Sequence, residues 1–197
     1  MTKNQSGLPL MWLFMWGTAV VSQRVREWWV VLFTGILLLG LTWMVGRLPV
    51  GTQLSLKPVS GKALVLAAAA GAGLFLLFYA YLVRSSLTIT GHVSASLIVW
   101  SVLIAPVTEE MVFRSLVYTA LVRAGAWFGG GPTLELIGVF LIAGIFGALH
   151  HRSSIYLAMT IAAGILYGLM RWQYRRVQPS IACHISYNAL ALLLLAR

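Results

Sequence analysis

Charged residues cut this chain of 197 residues into seven apolar runs, most of them close to the length of a membrane-crossing helix. The runs are Leu8 to Ser22, Trp28 to Val45, Ala63 to Val83, Val93 to Val122, Leu134 to His150, Ile155 to Met170 and Ile181 to Leu195. A hydrocarbon layer about 30 Å thick takes about 20 apolar residues in a helix. A soluble alternative fails on composition. The charged fraction is 9 %, against about a quarter in an average soluble domain, so there are too few charges to coat a surface facing water. A hydrophobic share of 60 % excludes disorder on the same grounds. The expected fold is all-α: a polytopic transmembrane bundle of seven spans, or six if the first run lies in the interface, in a multi-pass protein of the cell membrane.

The formal net charge of +10 does not point to nucleic acid, because the basic residues are scattered between apolar runs and not gathered on a stripe. They are placed as membrane-flanking anchors, and Trp28, Trp29 and Trp43 sit near the ends of the second run as interfacial rings do. If all seven runs cross, Lys3, Arg47, Lys57, Lys62, Arg123, Arg171, Arg175 and Arg176 share one side, and Arg24, Arg26, Arg84, Arg152 and Arg197 the other. That excess favours a cytoplasmic N-terminus and an exported C-terminus. The first run has no small-x-small cleavage site before Arg24, so it is read as part of the bundle and not as a removed leader. Loops are expected at Gly46 to Gly61 and Ala124 to Thr133, both rich in Gly and Pro. A working division places N-terminal transmembrane helices in residues 1–92 and a second helical core in 93–197. The single cysteine, Cys183, can form no internal disulfide.

Chemistry concentrates in the second part. There is no Asp, and the four acids are Glu27, Glu109, Glu110 and Glu135. Glu27 lies beside Arg26, and Glu135 falls in the first turn after Pro132, where a negative charge complements the helix dipole. Glu109 and Glu110 have no such explanation. They are adjacent in a long apolar run, where an ionised side chain costs at least about 2.5 kcal/mol even on the lenient insertion scale. Arg114, four residues after Glu110, meets it on one helix face. A buried ion pair that merely fixes packing would account for one Glu and leave the other unused.

Two further pairs are spaced by four: Phe146 with His150, and His184 with Asn188. Singly, each His is most simply a hydrogen-bonded packing residue. Together these polar groups need one another as partners in a chain this apolar, which places them in one buried polar site. A carboxylate there takes a proton from water, a His holds that water or passes the proton, and His N–H with Asn amide donors stabilises a developing oxyanion. That equipment hydrolyses a peptide bond without a covalent intermediate. Cys183, Ser186 and Ser115 are read as packing or backbone-bonding residues. Zinc held by His150, His184 and one Glu is weighed and set aside, because no H-E-x-x-H helix is present. His92 and His151 are assigned to the membrane interface.

These residues resemble a known family. Glu109-Glu110-Met-Val-Phe-Arg114, Phe146-Gly-Ala-Leu-His150 and His184-Ile-Ser-Tyr-Asn188 are similar to the motifs E-E-x-x-x-R, F-x-x-x-H and H-x-x-x-N of the CPBP family of intramembrane proteases. That family includes CAAX prenyl endopeptidases and proteins linked to bacteriocin processing and self-immunity. The resemblance covers about Val93 to Leu195. It implies a glutamate-dependent, metal-independent endopeptidase without cofactors, acting in the bilayer on membrane-associated or lipidated peptides. Glu109 would be the general base and His150 would help hold the attacking water. His184 and Asn188 would form the oxyanion hole, Glu110 and Arg114 would orient the others, and Phe146 would pack beside the site. Ser115 stands where family members often have Gly. The alternatives are a non-proteolytic member of the family, serving immunity or partner binding, and, more remotely, a proton-coupled transporter.

A zigzag of spans sets His150 and His184 toward opposite membrane faces. A shared site requires the Ile155 to Met170 span to be short or tilted, or His150 to lie deeper than the end of its run.

Overall fold

The computed structural model describes residues 58–85, 98–127, 129–150 and 153–195. The runs Leu8 to Ser22 and Trp28 to Val45, the start of the fourth run, most of the Gly46 to Gly61 loop, and His92 and His151 lie outside them. All regular structure among the described residues is helical.

Helix α1 (Gly61–Arg84) starts at Ser60, whose hydroxyl accepts a hydrogen bond from the Ala63 N–H at 3.3 Å, satisfying a first-turn donor. Next comes one continuous helical path made of four pieces: a π-helical segment π1 (Trp100–Ile104), α2 (Ala105–Glu110), a second π-helical segment π2 (Met111–Val117) and α3 (Tyr118–Ala126). The chain turns through Gly129 and Gly131, and Gly129 has the left-handed φ of 85° that favours glycine. Helix α4 (Pro132–Leu149) begins with Pro in its first turn, where no N–H is needed, and carries Glu135 there. Helix α5 (Ser154–Tyr174) is capped by the Ser153 hydroxyl, which accepts from the Tyr156 N–H at 3.2 Å, and it ends at Arg175 in the left-handed region (φ 54°). Helix α6 (Gln178–Leu195) follows.

Three of these helices, α1, α4 and α5, are long and apolar enough to cross a membrane. Their outer faces carry exposed Leu66, Leu77, Ile137, Leu141 and Ile155, among others. Helix α6 includes Gln178, His184 and Asn188, which lower its hydropathy.

Two close approaches set the frame. Helix α1 lies along α6, and at Gly71 a Cβ would collide with the Cys183 carbonyl, so only glycine permits this contact next to His184. Helix α4 lies along α5, where Gly164 faces Ala143 and Gly168 faces Val139. Ser186 directs its hydroxyl to the Ala68 carbonyl (2.7 Å) and the Cys183 carbonyl (2.9 Å), the backbone-bonding role expected of it, and Cys183 is buried. Glu135 pairs with Arg175, joining the start of α4 to the end of α5.

Two expectations are corrected. The Ile155 to Met170 run is not a short 16-residue span: α5 has 21 residues, because the helix runs on through Arg171 to Tyr174. Arg171 itself is not a flanking anchor, since it is buried inside α5.

Candidate active site

Two π-helical segments bracket the acids, and each disturbs the backbone ladder at a defined place. In π1 the Ala105 N–H bonds the Trp100 carbonyl, five residues back. The next donor would be Pro106, which has no N–H. Asn188 Nδ2 donates to the Ser101 carbonyl from α6 at 2.8 Å. In π2 the Tyr118 N–H bonds the Phe113 and Ser115 carbonyls and steps over that of Arg114. Arg171 Nε donates to this carbonyl from α5 at 2.9 Å. Single π turns inside helices occur often at functional sites, where they change the phase of the side chains that follow.

Glu109 and Glu110 close α2 and point apart, as neighbours on a helix do. Glu110 is fully buried. Its Oε1 accepts from Arg114 Nη1 at 3.2 Å and faces His184 Nδ1 at 3.0 Å, while its Oε2 has no protein partner. The Arg114 guanidinium also donates from Nη2 to the Gly164 carbonyl at 2.9 Å. It lies 4.6 Å from the centroid of the Phe146 ring and 5.4 Å from that of Tyr167, an aromatic seat for a cation out of water. A Cβ at position 164 would come within 3.2 Å of Arg114 Nη2, so glycine makes the room for this contact.

Glu109 is partly open, with 18 % of its side chain accessible. Its Oε1 stands 3.6 Å from His150 Nε2 and its Oε2 stands 3.9 Å from His184 Nε2. Both gaps exceed a direct hydrogen bond, and contacts of this length are the ones a water bridges.

The ring nitrogens are assigned by their partners. His150 Nδ1 lies 2.8 Å from the Phe146 carbonyl, which only accepts, so Nδ1 carries the hydrogen. In the neutral ring Nε2 is then a bare acceptor facing Glu109. The same logic puts a hydrogen on His184 Nδ1 against the Glu110 carboxylate. That ring is held on its flat side by Tyr167, with centroids 4.4 Å apart and planes 19° from parallel, and edge-on by Phe146 at 6.0 Å.

At the Glu109 carboxylate, His184 is joined by His150. It caps the end of α4, and its ring folds back over the last turn onto Phe146, with centroids 4.4 Å apart. Helical side chains lean toward the N-terminus, so the imidazole lies back over the last turn of α4, where it faces Glu109. The long α5 does not bring the two His together by brevity.

The structure thus joins Glu109, Glu110, Arg114, Phe146, His150 and His184 by direct contacts. Asn188 lies one turn after His184, and its partner is the Ser101 carbonyl. The motif spacing does not single out Ser101, Gly164, Tyr167 or Arg171. Gly164, Gly168 and the polar Arg171, spaced by four and three, are the signal on α5 that one face is closely packed and holds a buried cation. Among the described residues, no group of three His, Cys, Asp or Glu side chains is arranged to hold a metal ion.

A protein-family model described as Type II CAAX prenyl endopeptidase Rce1-like matches residues 91–190, a segment that contains every member of this cluster. No curated protein and no solved structure matches the chain.

Proposed function

The chain belongs to the Rce1-like family of type II CAAX prenyl endopeptidases, and from that premise we propose that it cleaves a peptide bond of a membrane-associated substrate with water activated by Glu109. Its apolar helices and its family make it an integral membrane protein. The observation that carries the mechanistic reading is the division between the two acids: Glu110 is sealed in an ion pair, while Glu109 is open and faces two imidazole Nε2 atoms across gaps of 3.6 and 3.9 Å.

A water placed between Glu109 Oε1 and His150 Nε2 is gripped through both hydrogens, since both atoms are acceptors, and its lone pairs are left to attack. Glu109 takes one proton as the water oxygen bonds to the scissile carbonyl carbon. The resulting oxyanion meets donors from α6. Asn188 commits one amide hydrogen to Ser101 and has a second to offer. His184 donates through Nε2 when that nitrogen carries a hydrogen, while its Nδ1–H stays on Glu110. Collapse of the intermediate breaks the C–N bond, and Glu109 returns its proton to the leaving amine. Arg114 and Phe146 touch no reacting atom in this scheme; they fix Glu110 and the two imidazoles.

The test compares peptide termini in membranes of cells carrying the wild-type chain or Glu109→Gln, a near-isosteric change. Loss of a general base lowers the rate by about 10²- to 10⁴-fold, so defined termini should vanish in the variant at equal protein level. Identical termini in both, with the variant folded, would overturn proteolysis by this site and favour an immunity or partner-binding role.

A further inference from the structure

Among the described residues Arg114 and Arg171 are the buried arginines. Burying a guanidinium is costly unless its surroundings use it. Arg114 is explained by Glu110. Arg171 stacks over the Tyr118 ring, 5.1 Å from its centroid, and spends its Nε on the backbone carbonyl of Arg114, 57 residues earlier in the chain. That carbonyl is the one the Tyr118 N–H steps over in π2.

Helix α5 therefore grips Arg114 at both ends. Gly164 holds the guanidinium through its carbonyl, and Arg171, seven residues and two turns later on the same face, holds the main chain. The parallel at π1 supports this: there too a carbonyl of a π segment is met by a side-chain donor from a later helix, Asn188 on Ser101. An α-helical ladder would return the Arg114 carbonyl to Tyr118 and rotate Arg114 relative to Glu110. We infer that Arg171 is a positioning residue for the site: by holding the carbonyl that the Tyr118 N–H steps over, it fixes the helical phase at which Arg114 reaches Glu110 and Glu110 reaches His184. This rests on the proteolytic role proposed for the cluster.

The experiment uses the full chain in bicelles and a peptide spanning a bond that only the wild-type chain, and not Glu109→Gln, cleaves. Arg171→Met removes the donor, and Arg171→Lys keeps a cationic one. Misplacement of catalytic groups by about 1 Å costs about 100-fold, so Arg171→Met should lower kcat by about 10- to 100-fold with KM within about twofold, and Arg171→Lys should restore most of the loss. In an Arg114→Met background the Arg171→Met change should add less than about twofold, because residues acting through one another are not additive. Hydrogen exchange at the amides of Met111–Tyr118 gives a readout independent of turnover, and it should quicken in Arg171→Met and not in Arg171→Lys. Unchanged kcat and exchange in Arg171→Met, equal impairment of Arg171→Lys, or multiplication of the two losses would each overturn the inference. If Arg171→Met does not accumulate, Arg171→Lys and Arg171→Leu, which also lacks a donor, carry the same comparison. If Glu109→Gln cleaves every bond that the wild-type chain cleaves, the proteolytic reading is overturned and exchange alone decides the link between Arg171 and Arg114.

Discussion

Removing one half of the Glu110–Arg114 pair should harm the fold more than removing both. Both side chains are essentially inaccessible, at 0 % and 1 %, and joined at 3.2 Å. Arg114→Met leaves the Glu110 carboxylate buried with His184 alone, and Glu110→Leu leaves a buried guanidinium without its carboxylate. Breaking a buried pair from one side costs about 3–5 kcal/mol, and replacing both members by apolar groups of similar volume ranges from neutral to stabilising by about 1–4 kcal/mol. The double variant has costs of its own. The His184 Nδ1–H loses its acceptor, about 1–3 kcal/mol. The Gly164 carbonyl loses Arg114, at the lower end of the same range, because it sits mid-helix where the ladder N–H still reaches it. The terms nearly offset, so the double variant should lie within about 2 kcal/mol of wild type while each single variant loses about 3 or more. On the scale of 1.36 kcal/mol per tenfold, each single change lowers the folding equilibrium constant by more than about a hundredfold. Denaturant unfolding in mixed micelles, followed by circular dichroism, measures all four corners of the cycle. The double variant should also be inactive, because nothing then orients the His184 ring through Nδ1. A double variant that loses the sum of the two single losses would refute the reasoning, since the two side chains would then be independent.

Gly164→Ala places a Cβ 3.2 Å from Ala143 and from Arg114 Nη2, an overpacking that should cost about 1–3 kcal/mol, seen as a lower unfolding midpoint. Asn188→Ala removes a proposed oxyanion donor and should lower kcat by about 10²- to 10³-fold in the same peptide assay. A loss below threefold would confine Asn188 to holding the Ser101 carbonyl.

Much of this was legible in the sequence because polar groups are so scarce. When nearly every residue in a run is apolar, Glu110 four before Arg114 or Phe146 four before His150 has few partners to choose among, and helical spacing alone puts each pair in contact. The apolar runs likewise mark the described helices, since length and hydropathy are sums over many residues and tolerate local error. What spacing does not carry is a local change of helical phase. Nothing in Trp100–Ile104 or Met111–Val117 announces a π-helix, and the partners that meet the backbone there, Asn188 and Arg171, are far away in the chain. Arg171 was misplaced for a related reason. A lone Arg at the end of an apolar run has the same sequence signature whether it faces headgroups or turns inward, and the decision lies with Tyr118 and the Arg114 carbonyl far away in the chain.

The adjacency of the two acids has a physical meaning that neither acid has alone. Adjacent helical side chains diverge by about 100°, so Glu109 and Glu110 cannot share a direction, yet His184 touches the surroundings of both: Nδ1 at 3.0 Å from Glu110 and Nε2 at 3.9 Å from Glu109. One imidazole therefore separates the carboxylates and links the sealed half of the site to the open half. Charge or position fixed at Arg114 passes through Glu110 to the ring, and from the ring to the space where Glu109 and His150 face each other. In the proposed mechanism a single acid would leave either a buried anchor without a base or an open base without an anchor. This arrangement requires that Glu109→Gln abolish turnover while leaving the Glu110–Arg114 pair and the fold intact. It also requires that Glu110→Gln impair both, a contrast that stability and turnover measured on the same two preparations resolve.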